Sequence, residues 1–111
     1  MFKIHFGRVQ AVVAFALFFL LLQVSAPRAE STAAQGQEIY NTYCSQCHGA
    51  NLKNTGSNAP DLRKFPLNQK ARFFKSVTVG KGQGKMPAWG DILSQEQIGM
   101  IWSFVKKRGK I

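Results

Sequence analysis

The N-terminal part of the chain carries an apolar run without an amphipathic period. Residues 11–22 are all apolar, cations precede them, and small residues follow at Ser25 and Ala26. A charged start, a short apolar core and small residues at a cleavage point are typical of a secretory signal. A membrane anchor, the alternative, needs roughly 20 apolar residues. We therefore predict a cleaved signal peptide over residues 1–29, with cleavage after Ala26 or Ala29, and a retained N-terminal membrane anchor as the alternative.

The first predicted helix of the mature chain follows this signal. Ser31 or Thr32 can cap it, and Thr32-x-x-Gln35 fits a capping box. The helix is predicted over about residues 33–44, where apolar positions recur at helical spacing. These positions are Ile39, Tyr40 and Tyr43. Gly36 costs the helix about 1 kcal/mol relative to alanine, so we expect it to permit the close approach of another helix.

A middle helix is predicted between two segments rich in turn-forming residues. Asn68 can cap this helix, and Gly80 after Val79 can end it. Its predicted apolar face consists of Ala71, Phe74 and Val77. The flanking segments, residues 49–66 and 80–87, are predicted to be loops, and the second, with three glycines, is predicted to be flexible.

The closing helix has the clearest signals. Ser94-x-x-Gln97 is a capping box, and Gly109 follows a basic last turn. The apolar residues follow the i, i+3, i+4, i+7 rule: Ile98, Ile101, Trp102 and Val105. Because no alternating apolar run of strand length occurs, the fold class is predicted to be all-α, with three or more helices joined by long loops. Such loops in a short chain need something to pack on.

Composition limits what this chain can be. Its 111 residues suffice for one domain, predicted over residues 30–111, and 45% apolar residues are too many for a disordered tail. Residues 30–111 carry 12 Lys and Arg against 5 acidic residues, a formal charge of +7. A domain of about 80 residues buries a thin core and usually needs a disulfide, a metal or a cofactor. Two cysteines are too few for a disulfide-dense scaffold or a four-cysteine zinc site.

The two cysteines stand in the sequence Cys44-Ser-Gln-Cys47-His48, the C-x-x-C-H pattern of c-type haem attachment. On a helical turn this spacing presents both thiols to the vinyl groups of a porphyrin, and the adjacent histidine points at the iron. A thioredoxin-type redox pair would be expected near β-strands, a zinc site needs further ligands, and an i, i+3 disulfide closes too small a loop to stabilise much. The pattern therefore predicts one covalently attached haem c, with His48 as an iron ligand.

These residues belong to a longer arrangement that resembles the small class I cytochromes c of bacterial periplasms. The likeness spans about residues 36–109 and has four pieces in order: Gly36-x-x-x-Tyr40-x-x-x-Cys44-x-x-Cys47-His48-Gly49, Ala59-Pro60-Asp61-Leu62, Met86-Pro87-Ala88-Trp89 and the closing helix. The resemblance implies a cytochrome c fold, three to five helices wrapped around one covalent haem, with the first and last helices crossing at Gly36. It also implies one-electron transfer as the activity.

The second axial ligand is predicted to be Met86. It lies in the glycine-rich loop before Pro87, outside any predicted helix, and it matches the methionine-proline ligand position of the family. Met100 lies instead on the closing helix, where it forms a secondary apolar strip with Phe104. His/Met ligation fills all six iron positions and raises the reduction potential, so we expect an electron carrier and not an enzyme. A peroxidase or gas-binding sensor, the alternative, would keep one position open.

Further contacts to the haem are implied by the resemblance. Pro60 would offer its carbonyl to Nδ1–H of His48, which orients the imidazole and raises its basicity. Leu62 and Trp89 would pack on the ring, or they belong to the ordinary core. The candidates for pairing with a haem propionate are Arg63 and Arg72.

The positive charge predicts the kind of partner. Lys75, Lys81 and Lys85 precede Met86 in sequence, so we expect them to ring an exposed haem edge and steer an acidic redox protein, with plain solubility as the alternative role. We expect a monomeric periplasmic carrier between a dehydrogenase donor, for which family likeness suggests a quinoprotein dehydrogenase, and an acceptor such as an oxidase. Nucleic-acid binding is not expected, and neither is stable membrane insertion once the signal is cleaved.

Overall fold

The computed structural model describes residues 28–109, so the predicted signal peptide lies almost wholly outside the described residues. This part of the chain forms four α-helices: α1 (Arg28–Tyr43), α2 (Ser45–His48), α3 (Lys70–Val79) and α4 (Gln95–Lys106). Short 3-10 turns cover Ala50–Leu52 and Leu62–Lys64. Within the same residues the only β-type pairing is one isolated bridge between Lys81 and Met86. The prediction of an all-α fold is confirmed.

Helix α1 begins earlier than its sequence signals indicate. It starts at Arg28, so Thr32 lies in its second turn, and the prediction that Ser31 or Thr32 caps the helix is wrong. Ala29 and Glu30, shortly before Thr32, are strong helix formers. Neither glycine nor proline lies between Ala29 and Thr32. Helix propensity therefore carries the helix through the position that the sequence suggests as a cap.

Helix α3 ends where predicted and starts later. Gly80 follows its last residue with a φ of 77°, a conformation that favours glycine. The residue before the helix is Gln69, which makes no side-chain cap, so the cap predicted at Asn68 is wrong. The N–H of Gln69 donates to the carbonyl of Pro66 (3.1 Å). This turn takes Asn68 out of the helix.

The buried face of α3 differs from the predicted one. Ala71 is exposed, so this part of the predicted face is wrong, whereas Val77 is buried and Phe74 packs half-buried against the main hydrophobic cluster. Phe73 is buried instead, with its ring centre 5.6 Å from that of Phe65 and 5.1 Å from that of Trp102. Contacts with two large rings on neighbouring segments select Phe73 as the inward residue.

Helix α4 has the predicted cap and apolar face. Ser94 Oγ accepts a hydrogen bond from the Gln97 N–H (3.1 Å), and Gln97 Oε1 accepts one from the Ser94 N–H (2.9 Å). All four predicted apolar residues are buried: Ile98, Ile101, Trp102 and Val105. Phe104 is fully buried as well, with its ring centre 5.3 Å from that of Tyr40. Phe104 therefore belongs to the main core and not to a secondary strip.

Helices α1 and α4 cross at Gly36, as predicted. A Cβ built on Gly36 would overlap the carbonyl group of Met100, so no side chain fits between the two backbones. Tyr40, one turn further along α1, is fully buried beneath the crossing. This crossing and the rings beside α3 form the core on which the loops lie. None of the helices in residues 28–109 has the length and apolar character needed to cross a membrane.

Replacing Gly36 by alanine is expected to destabilise the protein by about 1–3 kcal/mol, because the added methyl group overpacks the crossing. Gly99→Ala in α4 is the matched control: its Cβ would lie 3.7 Å from the Phe74 ring, an ordinary contact. Helix propensity should make that variant neutral or more stable by up to about 1 kcal/mol. Denaturant unfolding measures both free energies, and a Gly36→Ala variant as stable as the parent would contradict the close crossing.

Candidate functional site

The two cysteines lie on one helical turn at the junction of α1 and α2. The N–H of Cys44 donates to the carbonyl of Tyr40 (2.8 Å), and the N–H of His48 donates to the carbonyl of Cys44 (2.9 Å). Cys44 is buried in the main hydrophobic cluster, Cys47 is exposed, and both thiols are free. The turn therefore presents one sulfur to the core and the other to the surface.

Burial sets the chemistry of the Cys44 sulfur. It raises the pKa of the thiol to about 11, and the neighbouring Cys47 adds to the rise. A neutral sulfur is therefore favoured over a thiolate at this position. A thioether is neutral too, so a covalent bond from Cys44 to an apolar ring would place no charge in the core.

The imidazole of His48 is buried, with 7% of the residue exposed. Its Nδ1 lies 2.9 Å from the carbonyl oxygen of Pro60. Because a carbonyl oxygen only accepts, Nδ1 carries the proton and donates it, which leaves Nε2 as the nitrogen able to bind a metal. The structure thus contains the hydrogen bond between His48 and Pro60 that the resemblance implies.

The loop over residues 49–60 is organised by Asn54. Its Nδ2 donates to the carbonyls of Ser57 (2.7 Å) and Ala59, and its Oδ1 accepts two backbone N–H bonds of 3.0 Å each. The hydroxyl of Ser57 donates in turn to the carbonyl of Cys47. The sequence pattern reveals only that this segment is turn-rich. A closer look at the spacing could have identified Asn54 as the organising residue, because an asparagine followed within three residues by glycine and serine is typical of an Asx-turn.

Tyr40 supports the same loop from the core. Its side chain is fully buried, and its hydroxyl donates to the carbonyl of Gly49 (2.6 Å). Burial raises the pKa of Tyr40 well above its usual value, so the hydroxyl remains a donor. Gly49 has a φ of 84°, and a Cβ there would overlap the carbonyl of Lys53. Only glycine lets the chain turn back so closely after His48.

The Leu62–Lys64 turn is capped by Asp61. Its carboxylate accepts from the N–H of Arg63 (3.0 Å) and pairs with the Arg63 guanidinium, with a closest distance of 2.5 Å. The hydrogen bond to the Arg63 side chain is the largest of the effects that lower the pKa of Asp61 to about 2. Leu62 is half-buried against the main cluster. Of the two propionate candidates, Arg63 is thus bound to Asp61, and Arg72 lies 4.7 Å from the centre of an aromatic ring.

Met86 lies at the end of a closed hairpin. Lys81 and Met86 exchange two main-chain hydrogen bonds of 3.0 Å each. Gly82, Gln83 and Gly84 all have φ between 56° and 90°, the left-handed region that favours glycine. The loop predicted to be flexible is therefore closed by hydrogen bonds, and Met86 packs half-buried against the main cluster.

Trp89 lies beside the same cluster. The backbone N–H of Trp89 donates to the carbonyl of Val77 (2.9 Å), which ties this residue to the end of α3. Its ring centre is 5.4 Å from that of Tyr43, in an edge-to-face arrangement. Met100, in contrast, lies at the α1–α4 crossing next to Gly36.

This donor set fits a c-type haem. The hydrophobic cluster that contains Cys44 is bordered by three of the predicted residues: Leu62, Met86 and Trp89. His48 and Pro60 are joined by their hydrogen bond, and Cys47 is exposed beside them. Imidazole and thioether are suitable ligands for haem iron. Residues 28–109 contain no group of three or more His, Cys, Asp or Glu side chains placed to hold a metal on their own.

The chain is similar to haem proteins of known family. A protein-family model described as cytochrome c oxidase, cbb3-type, subunit III matches residues 31–105. The cytochrome c6 of Rippkaea orientalis is 31% identical over 103 residues, which cover 88% of this chain and 90% of that protein. No solved structure matches the chain.

Two further relatives are much longer proteins. The cbb3-type cytochrome c oxidase subunit FixP of Azorhizobium caulinodans is 34% identical over 92 residues, covering 79% of this chain and 31% of FixP. The quinohemoprotein alcohol dehydrogenase ADH-IIG of Pseudomonas putida is 34% identical over 73 residues, covering 66% of this chain and 10% of the enzyme. The chain therefore corresponds to one part of each of these relatives.

The Asp61–Arg63 pair predicts a specific acid sensitivity. Because the pKa of Asp61 is lowered to about 2 in the folded protein, the pair contributes stability above about pH 4, and the contribution is lost as the pH falls toward 2. Asp61→Asn should therefore lower the free energy of unfolding at neutral pH and approach the parent in acid. Asp91→Asn, at an exposed carboxylate outside this turn, is the control. Urea unfolding measures both, and a pH-independent difference between Asp61→Asn and the parent would contradict the prediction.

Proposed function

Because the chain belongs to the small class I cytochromes c, we propose that it is a periplasmic electron carrier that shuttles single electrons through a low-spin haem with histidine and methionine ligands. Members of this family carry a covalently bound haem c with iron, and they transfer electrons rather than act as enzymes. When bound, the haem supplies an iron that alternates between Fe(II) and Fe(III).

The hydrogen-bonded imidazole of His48 is the observation that carries the proposal. Donation from Nδ1–H to the carbonyl of Pro60 fixes the ring orientation and makes Nε2 a stronger metal ligand. Cys44 and Cys47, on the same helical turn, would hold the porphyrin by two thioether bonds. The ring would thus be attached at the point where the imidazole is already oriented.

Met86 is proposed as the second axial ligand. Its backbone is held by two hydrogen bonds to Lys81, and its side chain packs against the cluster that contains Cys44. A neutral thioether favours the lower charge of Fe(II), which raises the reduction potential. With both axial positions filled, oxygen and peroxide would have no open site. For this reason we propose a carrier and not a peroxidase or a gas sensor.

Leu62 and Trp89 are proposed to cover the porphyrin. Both are half-buried against the main cluster, Leu62 in the turn that follows Pro60 and Trp89 three positions after Met86. The contact between the rings of Trp89 and Tyr43 restrains the indole. Apolar side chains in these positions would exclude water and lower the local dielectric, which influences the reduction potential.

The proposals for export and for redox partners are supported by the N-terminal residues and by the relatives of the chain. Residues 1–29 have the composition of a signal peptide, so we propose cleavage and delivery to the periplasm, with a retained N-terminal anchor as the alternative. Similar domains occur within a dehydrogenase and an oxidase subunit. This supports a dehydrogenase donor, a quinoprotein dehydrogenase being one candidate, and an oxidase acceptor for a monomeric carrier.

The surface around the Met86 hairpin is proposed to bind an acidic redox protein. Lys81 and Lys85 of the hairpin are exposed, and the ion pair found among residues 28–109 lies elsewhere, at the Leu62–Lys64 turn. Val79, which precedes the hairpin, is 62% exposed. Unpaired positive charge beside apolar surface suits a transient complex, because charge speeds the encounter while a small contact area permits rapid release.

Replacing Met86 by alanine should open one axial position. The parent holoprotein is expected to be low-spin in both oxidation states, whereas Met86→Ala should become high-spin and its reduced form should bind carbon monoxide. Met100→Ala is the matched control and should stay low-spin. Absorption spectra with and without carbon monoxide measure this. Unchanged low-spin spectra in Met86→Ala would make the ligand assignment wrong, and a high-spin parent would make the carrier function wrong.

Reversing the charges of Lys81 and Lys85 should slow electron transfer with an acidic redox protein. At low salt we expect the second-order rate to fall by about tenfold or more, because electrostatic steering is lost. Lys106→Glu with Lys107→Glu changes the net charge equally at the end of α4 and should have a smaller effect. Stopped-flow rates at several ionic strengths measure both, and they should converge at high salt. Equal slowing by both double variants would contradict a docking surface at the hairpin.

A further inference from the structure

The side chain of Arg108 binds a loop that is distant in sequence. Helix α4 ends at Lys106, and Arg108 adopts a φ of 56°, which is uncommon for a residue other than glycine. Its Nη1 donates to the carbonyl of Arg63 and to that of Phe65 (2.9 Å). A guanidinium Nη carries two N–H groups, so one nitrogen can serve both carbonyls.

The two bound carbonyls lie on the turn that follows Pro60. Arg63 lies inside the Leu62–Lys64 turn, Phe65 directly follows this turn, and Asp61 caps it at its start. Pro60 is the next residue back along the chain, and its carbonyl is the one that accepts from Nδ1 of His48. One short, capped stretch of backbone therefore connects the side chain of Arg108 to the hydrogen bond of the imidazole.

Other contacts hold both ends of this connection. The ring of Phe65 lies 5.9 Å from that of Trp102 in α4, and the Arg72 guanidinium lies over the Phe65 ring, 4.7 Å from its centre. Gly109 follows with a φ of 73°, and a Cβ there would lie 2.8 Å from the carbonyl oxygen of Asn51. The turn after α4 therefore contacts both the loop that contains Asn51 and the segment that contains Arg63 and Phe65. A movement of the Arg108 guanidinium would move this second segment.

We propose that Arg108 is a positioning residue for the axial histidine: by holding the carbonyls of Arg63 and Phe65, it keeps the carbonyl of Pro60 aligned with Nδ1–H of His48. The inference rests on the proposed function, in which His48 ligates the haem iron. A well-aligned bond raises the basicity of the imidazole and so stabilises Fe(III). Loss of the guanidinium should therefore weaken this bond and shift the reduction potential upward.

The test compares Arg108→Gly with the parent as holoproteins. Glycine removes the guanidinium and adopts the left-handed backbone without strain, so a change reports the lost side chain. Lys106→Ala, which removes a neighbouring cation, is the matched control. In Arg108→Gly the ratio of reduced to oxidised protein at a fixed potential should rise about threefold. For a one-electron couple, in which a tenfold change corresponds to about 59 mV, this is an upward shift of the reduction potential by roughly 30 mV.

Hydrogen exchange separates positioning from general loss of stability. In the reduced Arg108→Gly protein, NMR should show the Nδ1 proton of His48 exchanging about tenfold faster, with a smaller change at the Ile101 amide in the core of α4. Exchange rates and potentials equal to those of Lys106→Ala would overturn the inference and leave the carrier function intact. A parent protein without covalent haem would instead overturn the proposed function.

Arg108→Lys decides the question if the glycine variant fails to take up haem. Lysine keeps the positive charge, but its ammonium lies on a flexible stem and lacks the rigid plane in which Nη1 directs its two N–H groups at the carbonyls of Arg63 and Phe65. We expect a smaller upward shift of the potential and a smaller acceleration of exchange at the Nδ1 proton of His48. Values identical to those of the parent in this variant would overturn the inference.

Discussion

A buried imidazole needs a hydrogen-bond partner for its N–H, and here the partner of His48 is the main-chain carbonyl of Pro60, twelve residues away. A side chain can rotate toward a donor, whereas a carbonyl is placed only by the path of the chain. The surrounding structure follows from this constraint. Asn54 ties the loop internally, Tyr40 holds its start from the core, and Arg108 holds the segment beyond it.

The parts of the fold that could be predicted depend on interactions between residues close in sequence, or on a residue type that has one main structural explanation at its position. The capping box of Ser94 and Gln97 is local, and the pattern alone identifies it. Gly36 in a helix has few explanations other than a close crossing, and the crossing is there. Phe73 was not predictable in this way, because its inward orientation depends on rings contributed by Phe65 and Trp102 from other segments.

Prediction of the candidate site from the sequence is limited in a similar way. Cysteine, histidine and methionine carry distinctive chemistry, so the pattern marks Cys44, Cys47, His48 and Met86 as candidates. The contacts that place them mostly use backbone carbonyls as acceptors, as at Pro60. Because every residue has a main-chain carbonyl, the sequence cannot identify which of them acts as the acceptor. The Asx-turn signal marks Asn54 as the residue that organises its loop, yet neither this signal nor the position of Arg108 shows which carbonyls the two side chains reach.

Hydrogen bonds to main-chain carbonyls at both proposed axial ligands bear on the rate of electron transfer. On one side the carbonyl of Pro60 fixes the ring of His48, and on the other the paired bonds between Lys81 and Met86 close the hairpin that carries the thioether. Ligands held in this way have little freedom to move when the charge of the metal changes. A carrier benefits, because geometry that is nearly the same in both oxidation states adds little to the barrier for gaining or losing an electron. The fixed loops are therefore as much a part of the proposed function as the residues that would ligate the iron.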